Sequence, residues 1–270
     1  MNEPPAKRTK EIKCYASALG NCSHIQSEEH YISRSFFSNN MITVEGQKWL
    51  NGKTKTVSYK KVGLKILCEY HNNLLHPIDT AIAGVGRKID ALLEKQIKRS
   101  HLPRGTPWKK DIYEINGFVF EQWMIKAVVG CMFENENLRW HQDNSNASSP
   151  PIEILQAQFG LTKLKYPMGL YQVMGVGEQF QNEQRAGIVH LSHIETKGVV
   201  GALVNFRNLQ FLMYLHNEPD LGIFESWNGT TFGTGYNEPV YRPTEFTFAT
   251  KGMISSILKF DWQSSPINLL

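Results

Sequence analysis

Two kinds of hydrophobic pattern divide the chain. Between residues 42 and 67, ITVEGQKWLNGKTKTVSYKKVGLKIL carries β-branched and aromatic residues on either side of Asn51-Gly52, a pair that readily takes the positive φ of a tight hairpin turn. This predicts a hairpin, followed by a short strand running into Cys68. Leu75, Ile78 and Ile82, and then Ile89, Leu92, Leu93 and Ile97, recur at helical spacing with Gly84 and Gly86 between the two sets. One short and one longer helix are expected, with GVGR (84–87) as the turn between them. The stretch SHLPRGTPWKK (100–110) has two prolines and a glycine among basic residues and predicts a linker. Next, NGFVFEQWMIKAVVGCMF (116–133) predicts a helix burying Phe120, Met124, Ala127, Val128 and Cys131.

Beyond a polar loop, HQDNSNASSPP (141–151), the pattern shortens. AGIVHLSHIE, GALVNF, LQFLMYLH, EFTFAT and ISSILKFDW predict short strands of an antiparallel sheet, and MGVGEQF (174–180) a turn. The expected fold is α+β, with a module over 1–110 and a mixed domain over 111–270.

Composition adds a bound and an asymmetry. The chain has 270 residues, 41% of them hydrophobic, as a chain with a buried core requires. No apolar run reaches the ~20 residues of a membrane span, and MNEPPAKRTKEIK is too polar for a secretory signal, so a cytoplasmic location is expected and the first ten residues read as a disordered basic arm. Residues 1–110 hold 19 Lys+Arg against 9 Asp+Glu, a balance of +10. The whole chain holds 29 and 25, which leaves −6 for residues 111–270. A concentration of cations there suits either a polyanion partner or a solvated basic face.

The basic part also holds the residues with chemistry. Three of the four cysteines fall in the first quarter, and in a reducing compartment that clustering favours a metal over disulfides. Cys14 and Cys22 form one pair and Cys68 and His71 another. The two-residue gap in Cys68-Glu-Tyr-His71 lets both side chains reach one zinc ion, whereas the gap of seven between Cys14 and Cys22 requires a loop inside the first knuckle. The alternative is two ordinary buried thiols and a histidine capping a helix.

Glu29-His30 lies shortly after the first pair, and Asn72 directly after the second. CSHIQSEEH and LCEYHNNLLHPID together resemble the HNH, or His-Me finger (ββα-metal), endonucleases in a zinc-knuckle variant, over residues 14–79. The resemblance implies His30 as general base and Glu29 and Asn72 as ligands of a catalytic Mg2+ or Mn2+ ion. It also implies a structural zinc on Cys14, Cys22, Cys68 and His71, and hydrolysis of a phosphodiester in DNA, with RNA as the other nucleic-acid substrate. A neutral imidazole is available near pH 7, since histidine has an ordinary pKa of ~6.5, and magnesium prefers oxygen donors.

The resemblance has departures. Forty-one residues separate His30 from Asn72, a long insertion occupied by the predicted hairpin, and Gly63 and Lys65 stand where a middle asparagine is sought. Asn73 and His76 compete with Asn72 for the metal, and Glu28 competes with Glu29. Glu121, Trp123 and Lys126 resemble a helix that follows the nuclease module in some proteins of this kind, and Asp79 either steadies the loop after the base or faces solvent. His190 and His193 are expected on opposite faces of a strand. The leading expectation is a metal-dependent endonuclease. Its rival is a non-catalytic zinc-containing nucleic-acid-binding protein. The sequence assigns residues 111–270 no role; the alternatives are recognition of the substrate, or regulation through a partner protein, a ligand or a second copy of the chain, as in defence nucleases.

Overall fold

The computed structural model describes residues 12–37, 40–45, 48–134, 138–140, 149–173, 185–193, 198–206, 209–219 and 239–270. The expected N-terminal arm, most of the 141–151 loop and the MGVGEQF turn lie outside them. In chain order the regular elements are β1 (Gln26–His30), β2 (Met41–Glu45), β3 (Lys55–Ser58), β4 (Gly63–Cys68), α1 (Glu69–Leu74), α2 (His76–Ser100), β5 (Asp111–Asn116), α3 (Gly117–Met132), α4 (Ile152–Gln158), β6 (Gly169–Gln172), β7 (Arg185–Ser192), β8 (Val199–Phe206), β9 (Leu209–Tyr214), β10 (Val240–Tyr241), β11 (Glu245–Thr250) and β12 (Met253–Asp261).

The fold is mixed α+β. A seven-stranded sheet runs β10-β6-β9-β8-β7-β2-β3, a three-stranded sheet runs β11-β12-β5, and β1 pairs with β4 alone. The predicted hairpin forms as β2 and β3, paired antiparallel from Met41↔Ser58 to Val44↔Lys55, with Asn51 and Gly52 both at positive φ in the connection. The sheet is not antiparallel throughout: β2 runs parallel to β7, and β5 parallel to β12. Both parallel pairs join segments far apart in the sequence, which short-range patterning cannot reveal.

The structure corrects the expected turn at GVGR. Residues His76–Ser100 form one continuous helix, with Pro77 in its first turn where a missing N–H costs nothing. Gly86 serves the packing here: a Cβ on it would sit 2.6 Å from the Phe36 carbonyl oxygen, so the 3-10 turn Arg34–Phe36 rests directly on the helix backbone. Contacts also cross residue 110. α2 packs on α3, β2 pairs with β7, and the 100–110 stretch is tied back by Arg99 Nη2 donating to the Lys109 carbonyl at 2.7 Å.

α3 is the centre of the core. Every residue from Gly117 to Met132 is buried, and the helix touches α2, α4 and strands of both larger sheets. A helix apolar on all sides belongs in the interior. Its polar residues must therefore find partners there, since an unpaired buried polar group costs about 1–3 kcal/mol. Gln122 bonds the backbone of Gln158 and Ile267, and Glu121 takes both Nε and Nη2 of Arg242 at 3.2 and 2.9 Å. Lys126 reaches the other way, into the N-terminal part of the chain. Among the described residues, no helix is long and apolar enough to cross a membrane.

Candidate metal centre and adjoining cleft

The first centre lies where the N-terminal segment folds back on the β1–β4 pair. Gln26 clamps Lys13 through its carbonyl and amide and also donates to Leu67 O, and Tyr15 N bonds Ile66 O. Between the two cysteines the chain makes a 3-10 turn, Ser17–Leu19, and reverses through Gly20 and Asn21, both at positive φ. That reversal is the loop the wide Cys14–Cys22 gap demands. At the other end Cys68 closes β4 and His71 lies in the first turn of α1.

Cys14, Cys22, Cys68 and His71 converge, with their donor atoms all within 4.8 Å of one another. The three sulfurs lie 3.4, 3.6 and 3.3 Å from His71 Nδ1. Tetrahedral zinc with Zn–S ≈ 2.3 Å and Zn–N ≈ 2.0–2.1 Å places sulfur about 3.6 Å from nitrogen. The four groups thus hold the separations a zinc ion would impose. Their protonation tells the same story: burial pushes the Cys14 thiol up to about 12 and raises Cys22, while burial lowers His71 and keeps its imidazole neutral. Cys68 is also opposed by burial, but hydrogen bonds from the backbone of His71 and Ser23 outweigh it and hold this thiol below its ordinary value. Neutral thiols packed this way gain little from one another, whereas a bound cation converts them to thiolates. The Cys3His group could hold a zinc ion.

A second centre adjoins it. β1 and β4 are antiparallel, with His30 opposite Gly63, and α1 follows β4 directly. This two-strand and helix unit opens on a cleft of about 470 Å³ whose lining includes Glu28, Glu29, His30, Asn72, His76 and Asp79. Asn73 is exposed and is not part of the lining. The Asn72 amide donates to Ser27 Oγ at 2.7 Å and to Glu28 O at 3.2 Å, so helix α1 is tied to strand β1 and the amide oxygen is left over for another partner. Among the described residues His30 Nε2 has no hydrogen-bond partner, and it lies 3.9 Å from Glu28 Oε1. The His30 ring leans on Tyr59 at 5.0 Å, and Tyr59 also carries the exposed Arg34 guanidinium, 5.0 Å from the ring centre.

Glu29 follows the register irregularity of β1 between Ser27 and Glu29, and although both it and the exposed Glu28 line the cleft, it turns inward. It is buried, and its Oε1 is ion-paired with Lys126 Nζ at 2.7 Å. The same ammonium meets Asp79 Oδ1 and Oδ2 at 2.7 and 2.9 Å. Ser33 donates to Asp79 and receives the Trp123 indole N–H at 2.7 Å. Burial pushes Lys126 down, but the two carboxylates outweigh it and hold the ammonium above its ordinary range. The sequence gives one signal for this network: a single lysine inside a helix as apolar as WMIKAVV must be paired. Its partner could not be read from it.

The cleft's donors are carboxylate and amide oxygens, the set a magnesium-type ion takes. The carboxylates are not gathered into a cage, since among the described residues only the Cys3His group brings three histidine, cysteine or carboxylate ligands together. His190 and His193 belong to no such group. His190 instead meets the Val128 carbonyl through Nε2 at 3.2 Å. No known protein family matches the chain, and neither does any curated protein or solved structure.

Proposed function

We propose that the protein is a metal-dependent endonuclease of the His-Me finger type, cutting phosphodiester bonds in DNA with His30 as general base. One observation carries this reading: a strand ending in His30, its antiparallel partner β4 and the following helix with Asn72 form one unit, braced at its base by the Cys3His group and open to a single cleft. The bracing has a purpose in this reading. Zinc fixes the start of α1, which in turn fixes Asn72, as partners behind a ligand commonly do.

His30 Nε2, without a hydrogen bond among the described residues, is available to take a proton from the attacking water. Tyr59 holds the ring against rotation, and Arg34 stands beside it as a cation for substrate phosphate. Asn72 and the Glu28 and Glu29 carboxylates would hold the divalent ion. When bound, such an ion stabilises negative charge on the phosphate and the leaving oxygen. The basic balance of residues 1–110 favours approach of a polyanion to this face.

A second reading, a nucleic-acid-binding protein without catalysis, is favoured by one fact: Glu29 is already neutralised by Lys126. His30→Ala separates the two. As a general base its loss lowers cleavage of plasmid DNA in Mg2+ or Mn2+ by ~10²–10⁴ while zinc content, melting and DNA binding stay unchanged. Equal cleavage by wild type and variant removes the histidine from the chemistry. A folded wild type that binds DNA and never cuts it selects the second reading.

A further inference from the structure

We propose that Lys126 is a built-in competitor for the divalent ion: its ammonium holds the Glu29 carboxylate until an ion displaces it, and so sets how much ion the cleft needs. The inference rests on the reading above, in which the cleft takes such an ion. It starts from an oddity of burial. Lys126 is 1% exposed on the helix at the centre of the core, where a lysine is tolerated only when paired. Its two partners, Glu29 and Asp79, both line the cleft.

One ammonium between two carboxylates leaves the group with a net charge of −1. That charge attracts a further cation. Yet an ion approaching Glu29 meets a like charge 2.7 Å from its ligand oxygen, so it binds fully only when Glu29 lets go of Lys126. The structure gives the released ammonium a place to stay. Asp79 already meets it with both oxygens, at 2.7 and 2.9 Å, and Ser33 Oγ lies at 3.4 Å. Asp79 is itself steadied by Ser33 and by the Ser35 hydroxyl on its carbonyl at 2.8 Å. Glu29 can therefore exchange one cation for another without leaving a buried ammonium unpaired.

A purely structural ion pair and a competitor predict opposite signs. Removing a structural lysine leaves ion affinity unchanged or weakens it, because the carboxylates lose their order. Removing a competitor strengthens it. The test is Mn2+ binding to the zinc-loaded full-length protein, followed by electron paramagnetic resonance, for wild type, Lys126→Met, Lys126→Gln and Glu29→Gln. Lys126→Met and Lys126→Gln should bind Mn2+ about tenfold more tightly or better, the size of losing one nearby unit charge even in a water-like dielectric. Glu29→Gln should bind it more weakly. Folded Lys126 variants with unchanged or weaker binding overturn the proposal, while a wild type that binds no Mn2+ in the cleft overturns the reading beneath it. Should both lysine variants unfold, the wild type still decides: its Lys126 Nζ resonance moves when Mg2+ is added if Glu29 changes partners, and an unmoved resonance at saturating Mg2+ overturns the competitor.

Discussion

Gly84 and Gly86 lie two residues apart in α2, and the structure predicts that replacing each by alanine has opposite consequences. In a helix interior alanine is favoured over glycine by about 1 kcal/mol. At Gly84 nothing opposes this gain, because a Cβ there meets only Arg87 Nη2 at 3.8 Å, an ordinary contact with a flexible side chain. Gly84→Ala should stabilise the protein by about 0.5–1 kcal/mol. At Gly86 the Cβ would lie 2.6 Å from the Phe36 carbonyl oxygen and 3.1 and 3.2 Å from its C and Cα. Those are backbone atoms, and Phe36 cannot retreat: it is 1% exposed, with its ring packed on Trp123 at 4.7 Å and Phe206 at 5.7 Å. Overpacking of this kind costs about 1–3 kcal/mol, and contact with backbone puts it at the upper end, so the net loss is about 1–2 kcal/mol. The two variants should then differ by roughly 1.5–3 kcal/mol, or about 3–12 °C in melting temperature at ~2–4 °C per kcal/mol. Calorimetry of the three full-length proteins measures this directly. Under the proposed function Gly86→Ala also loses cleavage, since the displaced turn carries Arg34 into the cleft, whereas Gly84→Ala keeps it. If the two variants melt together, the turn does not rest on α2 and the packing argument is wrong.

Two further predictions concern the metal centre and pH. Elemental analysis should find about one zinc per chain, and Cys68→Ser should release it and melt the β1–β4–α1 unit at lower temperature, because small metal-centred units draw much of their folding free energy from the ion; a wild type free of zinc, melting as the variant does, removes the centre. Burial pushes His190 down from 6.5 to about 4, against the hydrogen bond to Val128 that favours the charged form. The unfolded chain therefore binds more protons between those values, so stability is complete above pH ~6.5 and declines toward pH 4, by up to about 3 kcal/mol from this group. His190→Gln should match or trail the wild type at pH 7 and gain on it steadily down to pH 4.5 in urea titrations. Parallel stability curves for the two would dismiss the histidine as a source.

What the sequence could tell followed the range of the interactions. Asn51-Gly52, the apolar strands β7, β8, β9, β11 and β12 and the apolar run of α3 are local signals, and each formed the expected element. The four residues of the candidate metal centre were legible because their chemistry admits few other uses once Cys68 and His71 stand three positions apart. β1 was not legible as a strand. QSEEH has no apolar alternation, and the one side chain it buries is a glutamate. Nor could the glycines of α2 be distinguished from a turn, since the reason for Gly86 is a backbone fifty positions away. The same applies to the Glu29–Lys126 pair. A carboxylate beside a histidine is legible, but where that carboxylate points depends on a helix formed ninety-seven residues later.

The parallel pairing of β2 with β7 also sets a timetable. Thr43 lies opposite Arg185, so 142 residues must be made before the hairpin's neighbour exists. At ~5–20 residues per second that is a wait of roughly 7–30 s on the ribosome. Meanwhile β2 and β3 form an isolated hairpin, a unit barely stable in water, whose Ile42 and Val44 have no core to enter and whose outer edge offers unpaired backbone groups. The β1–β4–α1 unit faces no such delay, since its strands, its helix and all four residues of the Cys3His group have been made by residue 74. During synthesis the nascent chain therefore carries an early unit that a zinc ion could close, with a sticky hairpin looped out from it. That loop is where chaperones, or aggregation, would first take hold.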